Sequence, residues 1–96
     1  MRNDLDADAQ LEVEITNLVA TEAEIQNAQS LIESGLGSNI SPILVTPDGT
    51  AKGGTRFEMT FRVFNPNRFR NAQIQEWLYE AGLVGWRLDA TFVPPK

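Results

Sequence analysis

The 96-residue chain is 42% hydrophobic and 22% charged, with 13 acidic against 8 basic side chains, a net charge of −5, and neither cysteine nor histidine. That inventory excludes disulfides, thiolate metal sites, iron–sulfur clusters and cysteine nucleophiles. It also excludes the zinc hydrolases and the Ser-His-Asp and Cys-His enzymes, which need an imidazole. The length is that of one domain burying roughly 65% of the surface its unfolded chain exposes, enough for a core without staples.

Residues 1–10 are polar and acidic without periodicity and read as an N-terminal tail, leaving residues 11–96 as a single domain. From there Leu11, Val13 and Ile15 alternate with Glu12, Glu14 and Thr16, which predicts a half-buried strand running on loosely through Leu18 and Val19. Thr21 and Glu24 form a capping box, and Ile25, Ala28 and Ile32 recur at helical spacing behind it. The helix is expected over about 22–34, ended by a left-handed Gly35 with Leu36 touching Leu31 across a Schellman turn. Ile40–Thr46 reads as a short strand that Pro42 confines to a sheet edge. Residues 47–55, with Pro47-Asp48-Gly49-Thr50 followed by Lys52-Gly53-Gly54, read as a mobile loop.

Phe57, Met59, Phe61 and Val63 alternate with Arg56, Glu58, Thr60, Arg62 and Phe64 in the clearest strand of the chain. Asn65-Pro66 opens a second helix, with Asn71 as a rival start; Ile74, Trp77, Leu78 and Ala81 mark its buried face and Gly82 stops it. In the last strand Trp86, Leu88, Ala90 and Phe92 alternate with Arg87, Asp89 and Thr91, and Pro94-Pro95 ends it.

The order is β-α-β-β-α-β. A shift of 47 residues superposes Leu31 on Leu78, Glu33 on Glu80, Gly35 on Gly82, Leu36 on Leu83 and Pro47 on Pro94, while the first strands superpose at a shift of 46. Two copies of one βαβ unit with right-handed crossovers predict an α+β fold, the ferredoxin-like two-layer sandwich, with a four-stranded antiparallel sheet and two helices on one face.

On the open face of such a sheet, RNA-recognition domains place stacking aromatics on the first and third strands. Here Glu12, Glu14, Arg56, Glu58 and Arg62 stand there instead, with Arg87 and Asp89 on the last strand, a ladder of cross-strand charge pairs. Together with the net negative charge, this argues against nucleic acid as a partner. The stretch Asn17–Thr21, where acylphosphatases of this topology cradle phosphate, lacks the glycines such a cradle needs. Nothing points to a catalytic residue, a metal ligand or a cofactor. The candidate interaction residues are Phe64 and Phe69 with Arg62, Arg68 and Arg70, an aromatic–arginine cluster of the kind enriched at protein interfaces. Asp48 and Lys52 join them as the charges of the 47–55 loop.

Residues Leu78 to Leu88 (Leu-Tyr-Glu-Ala-Gly-Leu-Val-Gly-Trp-Arg-Leu) resemble the ending of short uncharacterised bacterial domains with a Leu-x-x-Leu-Gly-x-x-Gly-Trp-x-Leu pattern. Leu78, Gly82, Gly85, Trp86 and Leu88 match, and Ala81 replaces the second Leu. The resemblance implies a helix stop, a turn and a core-plugging Trp86, and no activity.

The resulting expectation is a non-enzymatic protein–protein interaction or assembly module, self-association included. The alternatives are a small-ligand regulatory sensor using the 47–55 loop, and an acidic, virus-encoded inhibitor of a nucleic-acid enzyme using Asp4, Asp6, Asp8, Glu12 and Glu14. With no run of 18 apolar residues and no basic-then-apolar start, no membrane span or signal peptide is expected. The expected compartment is the cytoplasm, or a host cytoplasm for a viral protein.

Overall fold

A computed structural model describes residues 10–52, 54–66 and 69–94. The elements run β1 (Gln10–Ala20), α1 (Glu22–Leu36), a 3-10 turn (Gly37–Asn39), β2 (Leu44–Ala51), β3 (Gly54–Val63), α2 (Asn71–Glu80) and β4 (Arg87–Val93). The four strands form one sheet in the order β2-β3-β1-β4 with every neighbour antiparallel, and both helices pack into the same core, giving the predicted α+β sandwich. The expected tail lies outside the described residues except for Gln10, which opens β1.

Alternation on β1 carries Val13 and Ile15 to the helix-covered face, opposite Phe61 and Met59 of β3. Between Ile15 and Leu18 the ladder gains one residue on β1, because Leu18 then pairs with Phe57. Asn17 takes φ 61 at this bulge, and its Nδ2 donates to the carbonyl of Gly85 at 2.7 Å. Asn tolerates that left-handed region better than most side chains. The extra residue flips the parity of the strand, so Leu18 and Ala20 join Val13 and Ile15 in the core. Asn17 to Ala20 are therefore strand, not the loop in which a phosphate cradle was sought.

The helices close the core. Thr21 caps α1 as predicted: its hydroxyl accepts from Glu24 N–H at 3.3 Å and Glu24 Oε1 accepts from Thr21 N–H at 2.9 Å. Ile25, Ala28 and Ile32 of α1 meet Ile74 and Leu78 of α2 over Phe57, Met59, Phe61 and Val63. Each large apolar side chain buried in this way contributes roughly 1.5–3 kcal/mol. Among the described residues no polar or charged side chain is buried with them.

Four expectations need correction. Gly35 does not end α1: the helix runs to Leu36, and Gly37 at φ 57 takes the positive-φ position, its N–H bonded to Glu33 O. A Cβ on Gly35 would overlap the ring of Trp77, so the glycine is there to let α2 approach. The predicted strand at Ile40–Thr46 begins only at Leu44; Ile40 makes an isolated bridge to Val63. The 47–55 loop is mostly ladder: Pro47 pairs with Phe57, Thr50 with Thr55 and Ala51 with Gly54, a bulge at Asp48-Gly49 absorbing the extra residue. Finally, α2 starts at Asn71 with Arg70 at the N-cap, so neither Asn65 nor Pro66 opens it.

Gly82 does what was expected of it. At φ 88 it closes a Schellman turn, with Gly82 N–H bonded to Tyr79 O and Leu83 N–H to Leu78 O, both at 2.9 Å. The repeat also changes register. Buried Val13, Ile15, Ala28 and Ile32 correspond to buried Met59, Phe61, Ile74 and Leu78 at a shift of 46 throughout. The identities at 47 match Gly35 to Gly82, two glycines with different jobs.

Candidate functional site

The open face of the sheet carries the charges predicted for it. Arg62 on β3 faces Glu12 on β1 with Nε 3.6 Å from Oε2, and its Nη1 donates to Gln10 Oε1 at 3.2 Å. Glu14 lies between Thr60 and Asp89, and Asp89 is held by Arg87 of its own strand at 3.5 Å. These pairs are exposed, and each contributes about 0–1 kcal/mol. A shallow hollow of about 250 Å³ beside the Glu12–Arg62 pair is lined by Ser41, Pro42, Leu44 and Thr60. Of its two hydroxyls that of Ser41 is already engaged, since Ser41 Oγ accepts from Arg62 N–H at 2.9 Å. Half-buried Arg56, paired with Val19, leaves its Nε without a hydrogen-bond partner among the described residues. No three Asp or Glu side chains of the described residues come together as metal ligands.

The predicted aromatic–arginine cluster is divided by the sheet. Arg62 points to the open face, whereas Phe69 packs against the core among the helices. Phe64 is 41% exposed just beyond β3, where its N–H bonds Asn39 O at 2.8 Å. Arg70 is exposed at the start of α2, and Arg68 lies outside the described residues. Asp48 stands exposed on the β2 bulge, and Lys52 is exposed beside the β2–β3 turn.

What the sequence reading missed is the state of the two outer strands. β2 is preceded by Pro42, contains Pro47 and is broken by the Asp48-Gly49 bulge. Proline removes ladder donors and a bulge twists an edge away, both of which blunt pairing with another chain. β4 is followed by Pro94 but contains neither a proline nor a bulge: all seven residues pair with β1 in unbroken register, and no described strand lies on its other side.

β4 is also apolar on the helix side without being covered there. Leu88, Ala90 and Phe92 pair with Ile15, Val13 and Leu11, the parity expected of core residues. Ala90 is nevertheless exposed and Phe92 is 58% exposed, because among the described residues α2, ten residues long, does not cover this margin of the sheet. The approach to β4 continues the apolar surface. Trp86 is half-buried, donates Nε1–H to Leu83 O at 3.2 Å and tilts against Tyr79 with ring centroids 5.3 Å apart. Tyr79 is 62% and Val84 69% exposed. A clue lay in the sequence: a strand with a core-type alternation and only a short helix to cover it.

A cleft of about 220 Å³ lies at the other margin, between α1 and β2, with Ile25, Val45, Pro47 and Phe57 below and Glu22, Gln26 and Gln29 at its rim.

No protein-family model and no curated protein sequence matches the chain. Nine chains among the solved structures do. One is LarC2, the C-terminal domain of a cyclometallase involved in the synthesis of the NPN cofactor of lactate racemase, in its apo form. It is similar at 15% identity and a TM-score of 0.54 over 90% of this chain, and the match spans 56% of that structure's length. The likeness is one of fold: an antiparallel sheet with two helices. Among the described residues no helix is long and apolar enough to cross a membrane.

Proposed function

We propose that the chain is a non-enzymatic protein-binding or assembly module that engages its partner through the β4 edge. The observation that carries this reading is the pairing of an unblunted outer strand with uncovered Phe92 and Ala90 on one of its faces. An added strand takes its affinity from the free main-chain groups of such an edge and its specificity from alternate side chains. Here those side chains would meet an apolar side (Leu88, Ala90, Phe92) and a polar side (Arg87, Asp89, Thr91). The chemistry of the chain fits a binder better than an enzyme. It has no His or Cys, and its described carboxylates on the sheet are exposed or half-buried without gathering around a pocket. The short bacterial domains resembled by Leu78–Leu88 would, on this reading, share the same Gly82–Gly85–Trp86 entry into an outer strand. The expected setting is the cytoplasm.

Site-specific photo-crosslinking tests it. A photoreactive residue replacing Thr91 on β4 is expected to give protein adducts in cells of the source organism, whereas one replacing Thr46 on β2 gives none. Equal labelling at both, or none at either, overturns the reading.

A second reading keeps a small ligand but moves it. With Pro47, Thr50, Ala51, Gly54 and Thr55 in the ladder, a regulatory ligand would occupy the α1–β2 cleft, whose lining by Phe57 and by the amides of Gln26 and Gln29 suits a flat molecule with hydrogen-bonding edges. A metabolite screen by thermal shift, with Gln26→Ala abolishing any hit, tests that reading.

A further inference from the structure

We infer that the partner of the β4 edge is a second copy of this chain, joined antiparallel about a two-fold axis at Ala90; this rests on the β4-edge reading above. The argument is the self-complementarity of the strand. With Ala90 on the axis, Arg87 faces Val93 of the second copy, Leu88 faces Phe92 and Asp89 faces Thr91, so all seven residues of β4 enter the ladder. The two Phe92 rings, exposed in one copy, each gain Leu88 of the other as a cross-strand neighbour, on the side of the sheet where apolar residues belong. Alanine on the axis leaves room between the two backbones where a larger side chain would meet its own copy.

The registers centred on Asp89 and on Leu88 are worse. An axis at Asp89 sets two carboxylates directly opposite each other, which is destabilising in a sheet, and leaves two residues of each strand without a partner strand. An axis at Leu88 brings Arg87 against Asp89 but pairs only residues 87–89 as strand, because the chain before Arg87 turns through Gly85 at φ 77. With the axis at Ala90 no like charges are directly opposed, and each Asp89 keeps the Arg87 of its own strand, 3.5 Å away. The competing edge does not offer the same match, since the bulge at Asp48-Gly49 confines a regular ladder on β2 to Leu44–Pro47, whose last residue is a proline.

The product is an eight-stranded sheet with helices on one face. The new ladder is about 23 Å long, at ~3.3 Å per residue. One strand and its flanking side chains bury less than the ~800 Å² per partner of tight complexes, so the dimer is expected in the micromolar range.

Light scattering and sedimentation of the full chain test this between about 5 and 500 μM, either side of a micromolar constant. The mass is expected to climb from 10.7 kDa towards twice that value. Ala90→Lys, which puts two ammonium groups on the axis, is expected to weaken dimerisation about 5-fold while leaving the melting of the dilute monomer unchanged, because Ala90 is exposed there. The chain has no cysteine, so single thiols report the register. A short thiol-to-thiol linker is expected to close Ala90→Cys into a covalent dimer faster than Leu88→Cys or Phe92→Cys, whose thiols lie away from the axis. A monomeric mass at every concentration overturns the second copy; a dimer cross-linking best at position 88 or 92 overturns the axis. If the chain is monomeric but Thr91 photo-adducts with another protein form, the β4-edge reading stands and self-pairing falls. If neither occurs, both fall.

Discussion

The two outer strands of this sheet are built to opposite specifications. β2 carries Pro47, follows Pro42 and breaks its ladder at Asp48-Gly49, while β4 runs straight beside β1 with no proline or bulge. Both expose a large apolar side chain, Leu44 at 64% and Phe92 at 58%, so apolar exposure alone does not distinguish them. What distinguishes them is whether the backbone next to that side chain is free to pair. The difference teaches that the sheet is terminated on one side and extendable on the other, and this makes β4 the place to look for a partner.

The largest expected effect comes from removing that asymmetry. Deleting Gly49 and replacing Pro47 with Val turns β2 into a second straight edge, and light scattering is expected to show assemblies larger than a dimer. An unchanged mass would mean that the proline and the bulge are not what closes that side. Next, Phe92→Asp is expected to weaken self-association about 10–100-fold through lost apolar burial, while Leu44→Asp, equally exposed on the other strand, leaves it unchanged in the same sedimentation series. Smaller effects belong to the layer between the edges. Gly35→Ala forces a methyl group into Trp77 and is expected to cost ~1–3 kcal/mol in urea unfolding; Gly82→Ala, strained at φ 88, is expected to cost ~1–2 kcal/mol. The smallest is Arg62→Ala, which removes one exposed pair with Glu12 and should shift stability by no more than ~0.5–1 kcal/mol, with less effect at high salt.

The glycine pair also shows how far sequence reasoning reaches here. Features decided within a turn or a strand were legible: the Thr21–Glu24 box, the alternation of Phe57, Met59, Phe61 and Val63, the helix stop at Gly82, and from these the order of elements and the fold. Features decided by a distant neighbour were not. Gly35 looks like a helix stop until Trp77, 42 positions on, is seen to occupy the space its side chain would need. Pro-Asp-Gly reads as a turn, yet here the Asp-Gly step serves as the bulge of a longer strand, because β3 has residues enough to pair past it. The candidate cluster of Arg62, Phe64, Phe69 and Arg70 was adjacent in sequence and is split by the sheet. The β4 edge was spread over three segments that only the fold brings into line: Tyr79 on α2, Val84 and Trp86 on the turn, and Phe92 on the strand.

The hydrogen bond from Asn17 to the Gly85 carbonyl spans 68 positions of sequence and joins the β1 bulge to the turn that delivers β4. Among the described residues β4 is otherwise held by one ladder and carries no fully buried side chain, so its detachment is expected as a local opening well below the global unfolding free energy. Asn17 then acts as a latch on that opening. It ties down the entrance of the strand, so that opening of β4 is expected to begin at its C-terminal end, where the proposed partner strand would hold it closed.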